Sequence, residues 1–588
     1  MRTTSLLRFE LPRAFRWAVL ALGVAVPACS DPSSQTGMPG PGVVTPDDGT
    51  GTPAAPGPSE SGMDPPVNPM DPPLGSMPFD PPAEVQGTET PVPATYWPLG
   101  VEQGVVDPEE NLRAVITFPL RNQAELESRI AAMYNPASPQ FRRYMTVAEF
   151  MASYAPAQDN VDATAAWLTS KGFKVALTAR NRLLLYYTGT VGQWNAAFGV
   201  TLHHMKRSPT TVRDWSYAPI TPVDVPQPLV GKIKRLLMPD VEVPSDKLPP
   251  ETAPVLTTPP SGVSTKLVPS QIASAYGINE LYAKGYKGAG MTIGIIGATT
   301  FRVSDAQSMW QTFGINRKTP TVVEPMEPMY TRGLETALDV QLAGAIAPEA
   351  EVIFYGGPNT SDTTLIYTFN EAIAANQAQV LSDSFAHAEA SSPAPVARAY
   401  NEAAMMAAAL GITIVSASGD SNQVDMPSNS PYVTAVGGTN VELNADGSWK
   451  HEQSWEYGGC GRSKVFAQPL WQKGAYAKAN GQRTVADVGV VVGPSWVKFL
   501  GNWTYADGTS GSTPVFGALL LLVDQARKAQ GKPPVGFINS LIYQHAATRG
   551  AFRDIVDQGI GGCATLVGYD LATGIGSPKA AELAVAIP

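Results

Sequence analysis

Histidine and cysteine are both scarce: 588 residues hold five histidines and three cysteines. His203, His204, His387, His451 and His545 show no metal-ligand spacing, which argues against a zinc centre built on imidazole. The last three stand in no recognisable catalytic-histidine motif, so an ordinary Ser-His-Asp hydrolase has little to build on. Three cysteines are too few for a scaffold held by disulfides. Charged residues make up only 16% of the chain, the net charge is -10, and no basic run appears. These features argue against nucleic acid as a partner. The longest apolar run near the start, Trp17 to Val26, falls short of the ~20 residues that cross a bilayer as a helix.

Proline and glycine are abundant instead, 54 of each, and they concentrate. Arg13 and Arg16 precede the apolar run, and Val26-Pro-Ala-Cys29 follows it, so 1–29 reads as an export signal. The tetrapeptide is similar to a bacterial lipobox, with Cys29 as the lipidated residue. Pro27 is unusual there, and plain signal cleavage remains the alternative. Residues 30–95 are Pro, Gly, Ser, Asp and Thr with few large apolar side chains, a composition unable to form a core. A first folded unit is expected over 96–240: Leu126, Ile130, Met133 and Tyr134 have helical spacing, and Thr146-Val-Ala-Glu149 has the form of a capping box. A second polar, proline-rich stretch, 241–266, reads as an exposed cleavable junction.

The remaining unit, 267–588, alternates apolar strands with helices, which predicts an α/β fold with a parallel sheet covered on both faces. Its candidate chemistry lies in four places. Glu335-Thr-Ala-Leu-Asp339 puts two carboxyls on one face of an apolar helix at i,i+4 spacing, close enough to share a proton. Ser418-Gly-Asp420-Ser421 follows the strand-like Gly411-Ile-Thr-Ile-Val-Ser-Ala417, at the sheet end where such folds place their sites. Gly508-Thr-Ser510-Gly-Ser-Thr513 precedes a hydrophobic helix with Pro514 in its expected first turn. The tail from Asp554-Ile555 to Gly568-Tyr-Asp570 is rich in carboxyl and carbonyl oxygen. A serine needs a base with a pKa near the working pH. In acid a carboxylate can fill that role and histidine cannot.

In this order the four segments resemble the sedolisin (kumamolisin-like) serine-carboxyl peptidases. Ser138 to Thr146, Trp167 to Phe173 and Trp194 to Gly199 resemble the family's α+β activation prodomain. The resemblance implies a subtilisin-like parallel sheet flanked by helices, preceded by that prodomain acting as an intramolecular inhibitor. It makes Ser510 the nucleophile, Glu335 the base, Asp339 its orienting partner, and Asp420 the acid that lines the oxyanion hole. It also implies one calcium ion, held by Asp554, Ile555, Leu566, Gly568 and Asp570, with Leu566 standing where a glycine is usual. Asp507, Phe385, Ala386, Asn422 and Ala486 depart from the family pattern, although the four catalytic positions are intact. Cys460 and Cys563, left over after Cys29, are free to pair in an oxidising compartment, and the sequence leaves their distance open.

The expected protein is an exported, secreted or lipid-anchored, acid-active endopeptidase made as a self-processing zymogen and acting on proteins or peptides. Membrane contact is expected only through the N-terminal lipid. Two alternatives stay open: a tripeptidyl-peptidase of the same family, and a non-enzymatic surface protein on a degenerate peptidase fold.

Overall fold

Short apolar segments rich in valine and isoleucine alternate with alanine-rich helices, and in the computed structural model they pair in parallel. The structure describes residues 101–588, apart from 207–214, 238–239, 242–266, 327–331, 393, 477, 546–547, 549 and 560–561. The expected signal and lipobox at 1–29, the 30–95 segment, residues 96–100 and nearly all of the 241–266 junction therefore lie outside the described residues. Those that are described fall in a single compact unit, 75–588.

The central sheet of 267–588 runs in the order Thr321–Val323, Glu351–Gly356, Thr292–Gly297, Val380–Asp383, Thr413–Ala417, Thr434–Leu443, Trp449–Ser454. Val488–Val491 also pairs with Thr434–Leu443. All of these pairings are parallel except the one with Trp449–Ser454. The strands Val380–Asp383 and Thr413–Ala417 are buried along their whole length. That burial is what helices on both faces of a parallel sheet produce.

Leu334–Ile346 and Thr509–Ala529 pack against each other, and the second also lies across Val380–Asp383 and Thr413–Ala417. Both helices are apolar nearly all round, as a buried helix must be. Asp362–Ala375 and Ala394–Leu410 pack against each other as well.

The 101–241 portion is α+β. Asn111–Thr117 lies between Leu184–Thr190 and Arg235–Leu236 in an antiparallel sheet whose edge is Lys174–Thr178. Thr146 caps its helix as expected: its hydroxyl accepts from the Glu149 N–H, and Glu149 returns the bond to the Thr146 N–H at 2.7 Å. Leu126, Ile130 and Met133 form the buried face of the Gln123–Met133 helix.

This portion packs against the Asp362–Ala375 and Ala394–Leu410 helices. The Tyr134 hydroxyl donates to the Ala408 carbonyl at 2.8 Å and accepts from the Phe537 N–H at 2.9 Å. Arg142 donates to the Pro534 carbonyl at 2.8 Å. Lys234 and Arg235 both reach Glu402 on the Ala394–Leu410 helix, at 2.6 Å and 2.8 Å. Arg180 pairs with Glu371 at 3.0 Å, and Asn181 donates to Asn370 at 2.9 Å.

Candidate active site

Glu335 occupies the first turn of the Leu334–Ile346 helix and is partly buried, while Asp339, one turn on, is fully buried. The two carboxyls lie close enough for each to act on the other's ionisation. Desolvation first, and then the Glu335 charge, hold the Asp339 pKa well above its usual value; a bond from Ser384 opposes them and the Asp383 charge adds to them. The close carboxyl pair expected from the i,i+4 spacing lies on one helix, with Asp339 at its buried end.

Ser384 links that pair to the nucleophile. Its hydroxyl lies 3.1 Å from Asp339 Oδ1 and 3.4 Å from the Ser510 carbonyl oxygen. The sequence alone points to no role for Ser384 or Asp383. Asp383 ends the buried strand Val380–Asp383, and desolvation pushes its pKa up to about 7. The available signal is a Ser-Asp-Ser run that closes a short, fully buried strand.

One expectation about the nucleophile's helix is corrected. The helix begins at Thr509, so Ser510 lies inside its first turn, and Pro514 lies in the helix interior instead of the first turn. Thr509, Ser512 and Thr513 satisfy the early turns with their own side chains. The Ser512 hydroxyl donates to the Val490 carbonyl at 2.8 Å, and the Thr513 hydroxyl to the Thr509 carbonyl at 2.7 Å. Polar residues there masked the helix start in a reading based on apolar periodicity. Ser510 itself is 8% exposed, and the positive end of the helix dipole favours negative charge developing at its hydroxyl.

Asp420 reaches the same turn from the end of the Thr413–Ala417 strand. Its Oδ1 accepts from the Thr509 N–H at 2.9 Å and from the Thr509 hydroxyl at 2.7 Å. The residue is open to solvent on one side. Desolvation of its carboxyl still raises the pKa, the Thr509 bonds lower it, and the Asp507 charge raises it. Gly508 makes the approach possible: its φ is 131°, and a Cβ there would sit 2.6 Å from Asp420 Oδ2. All four predicted catalytic residues therefore lie in one network: Glu335 acts electrostatically on Asp339, Ser384 joins Asp339 to the Ser510 turn, and Thr509 joins Asp420 to it.

The histidines lie elsewhere. His203 pairs with Glu102, His204 with Glu110, His387 with Asp362 and His451 with Asp557, while His545 faces Thr548. None makes a hydrogen bond with Ser510 among the described residues, so no Ser-His-Asp triad forms. Two departures from the expected pattern have local explanations. Asn422 adopts a left-handed φ of 53°, which asparagine tolerates, and its amide donates to the Glu456 carbonyl at 2.9 Å. The Ala486 N–H donates to the Leu571 carbonyl at 2.9 Å, a bond that proline could not make.

The predicted metal-binding residues also converge. Asp554 Oδ2 accepts from the Gly568 N–H at 2.8 Å, and Asp570 Oδ2 accepts from the Leu566 N–H at 3.1 Å. Asp570 Oδ1 takes three further donors from Ala572 and Thr573. Desolvation raises the Asp570 pKa to about 6. A pocket lined by Gly550, Phe552, Asp554, Gly568 and Ile575 opens here. The predicted donors, two carboxylates and three backbone carbonyls, are of the oxygen type that a hard cation takes. No cluster of three or more His, Cys, Asp or Glu side chains exists among the described residues, so protein carbonyls would have to supply much of the coordination. Cys460 and Cys563 form a disulfide. The Cys460 N–H donates to the Gln423 carbonyl at 3.0 Å, which fastens the 418–423 loop to the chain that leads into the tail.

A buried serine on a helix turn, a carboxyl pair as its base and an acid beside it, on a parallel sheet behind a separate N-terminal domain, define a serine-carboxyl peptidase made as a zymogen. Comparison with known proteins gives the same class: residues 100–235 match the pro-kumamolisin activation domain, and residues 333–562 match the subtilase family. The chain is a homologue of kumamolisin, with a pro-kumamolisin activation domain ahead of a subtilase-type peptidase domain. It is 29% identical to kumamolisin of Bacillus sp. (strain MN-32) over 536 residues, spanning 83% of this chain and 94% of that protein. It is 27% identical to tripeptidyl-peptidase 1 of Homo sapiens over 541 residues, spanning 82% of this chain and 93% of that protein. A solved structure of Pseudomonas sedolisin, complexed with two molecules of pseudo-iodotyrostatin, aligns at a TM-score of 0.49 and 22% identity, covering 55% of this chain and 98% of the other.

Proposed function

We propose that this peptidase is an acid-active endopeptidase that processes itself. The observation that carries the reading is the Glu335–Asp339 carboxyl pair, with Asp339 fully buried, joined through Ser384 to the Ser510 turn. Ser510 Oγ attacks the scissile carbonyl carbon while its proton passes to Glu335. The carbonyl oxygen becomes an oxyanion and accepts a hydrogen bond from protonated Asp420. The C–N bond then breaks, Glu335 returns the proton to the leaving amine, and water attacks the acyl-enzyme by the same route in reverse. Glu335 must be ionised to accept the proton and Asp420 must be protonated to donate, which confines activity to acid.

Calcium would be held by Asp554, Ile555, Leu566, Gly568 and Asp570, where the ion's charge would offset two neighbouring carboxylates. Export follows from the signal pattern at 1–29, with Cys29 as lipid acceptor. Because that anchor precedes the prodomain, cleavage within 241–266 would release the catalytic unit from the membrane. The release model fails if mature enzyme remains in the membrane fraction after high-salt washing.

The deciding experiment is acidification of purified proenzyme beside its Ser510→Ala variant, with calcium present and chain mass followed over time. Self-cleavage between the two units in the wild type alone supports the reading. If neither chain changes, and casein survives after the prodomain has been trimmed away by another protease, a non-enzymatic surface role replaces it. The named likeness to tripeptidyl-peptidase 1 keeps an exopeptidase activity in view, and N-terminally blocked peptides distinguish the two, since a tripeptidyl-peptidase leaves them intact.

A further inference from the structure

Pro514 changes what the nucleophile's turn can do. In an α-helix the N–H of residue 514 would bond the carbonyl of residue 510, but proline has no N–H. The Ser510 carbonyl is therefore left without its helical donor, deep in a site where an unmet acceptor is costly. The hydroxyl of Ser384 is placed to fill that vacancy, 3.4 Å away, and the same hydroxyl lies 3.1 Å from Asp339 Oδ1. Ser384 is 6% exposed, so few waters can substitute for it. A hydroxyl carries one proton, and two acceptors face it.

We propose that Ser384 is a positioning residue whose single hydroxyl proton alternates between Asp339 and the Ser510 carbonyl. This ties the protonation of the carboxyl pair to the turn that carries the nucleophile. It rests on the peptidase reading above and deepens it. While the pair holds one proton its negative charge is shared by the two carboxyls, and Ser384, donating to Asp339, stabilises the singly ionised pair in which Glu335 can still accept a proton. When Glu335 takes the proton of Ser510 and passes proton density toward Asp339, the hydroxyl is released to the Ser510 carbonyl. There it supports the turn while Ser510 carries the acyl group. The groups that face Asp339 are Glu335 on its own helix and Asp383 and Ser384 from the sheet end; Asp383 in turn faces His387. No cation is among the groups that act directly on Asp339, so the hydroxyl is its principal stabilising donor.

The test is the pH dependence of kcat and KM for the self-processed enzyme on an internally quenched peptide, with Ser510→Ala as the blank. Loss of the donor in Ser384→Ala makes the pair harder to ionise, so the acid limb moves to higher pH. A bond to a charged group of this kind is worth roughly a tenfold fall in kcat, with KM little changed. Ser384→Thr keeps the hydroxyl and restores the limb. Pro514→Ala acts oppositely: it returns a helical donor to the Ser510 carbonyl, frees Ser384 for Asp339, and moves the acid limb to lower pH. A purely structural role for either residue would lower activity without moving the two limbs in opposite directions. The proposal is overturned if wild type hydrolyses the peptide and both variants share its acid-limb midpoint. If Ser384→Ala does not fold, the downward shift in Pro514→Ala decides alone. An inert wild type sinks the peptidase reading itself, before any variant is compared.

Discussion

Two buried carboxylates on helices of the same domain are treated in opposite ways. Glu402, on the helix that receives the prodomain, faces Lys234 and Arg235, and those cations hold its pKa below the usual value despite the cost of burial. Asp339, in the catalytic centre, faces Glu335 and Asp383, and burial and like charge drive its pKa up. A carboxylate at an interface is most useful as a fixed charge, whereas one in a proton-transfer site must be able to change state. The partners decide which, since depth of burial is nearly the same: Glu402 is 3% exposed and Asp339 is 0%.

The contrast can be broken most severely at the catalytic pair. Glu335→Gln keeps the shape but removes the base, and peptide hydrolysis should fall about a thousandfold or more in steady-state assays. The zymogen's melting temperature should not fall, because one of two like charges has left a buried site. The matching change at the interface is Glu402→Ala, which leaves Lys234 and Arg235 buried without their counter-charge. Breaking such a pair costs about 3–5 kcal/mol. Processing, followed by chain mass across a pH series, should then begin at higher pH than in wild type. In the wild-type interface the sign is fixed by the lowered pKa. The stabilisation is complete above the unbound value of 4.5 and is lost as pH falls through the depressed value below it.

A subtler change replaces Asp420 with asparagine, whose amide donates at any pH. The rate at the acid optimum should fall about tenfold, less than the hundredfold typical of a deleted oxyanion donor, and the alkaline limb should extend toward neutrality. The smallest effect concerns stability alone. Asp383 and Asp425 have pKa values raised to about 7, each chiefly by desolvation. Raised carboxyl values make the fold lose stability as pH climbs from the ordinary 3.8 toward 7. The melting temperature should be about 2–4 °C lower at neutral pH than in mild acid, and Asp383→Asn should flatten part of that slope. A profile that rises toward neutrality would contradict the assignment of both groups.

Much of this was legible in the chain. The parallel sheet, the Leu334–Ile346 helix and the spacing of its two carboxyls follow from continuous apolar runs, because these elements are buried on nearly every side. The joining of Ser418-Gly-Asp420 to Gly508-Thr-Ser510 was reachable only through family likeness, since the bonds from Thr509 to Asp420 span 89 residues. Ser384 and Asp383 escaped notice because a serine or aspartate after a strand is ordinary in sequence, and only its neighbours give it meaning. The helix start at Thr509 was missed for a related reason: three hydroxyl side chains and an internal proline hide a helix that tertiary packing imposes. The pairing of Cys460 with Cys563 needed a distance that no spacing rule supplies.

That crosslink has a further consequence for an enzyme surrounded by copies of itself. Cys460 and Cys563 close a covalent ring of chain, 103 residues apart in sequence, and Ser510 lies inside it. A self-inflicted cut anywhere within the ring opens the loop but leaves both fragments bonded through sulfur. The nucleophile thus remains covalently attached to the part of the chain that carries Glu335 and Asp420, and a single nick need not end the working life of the molecule.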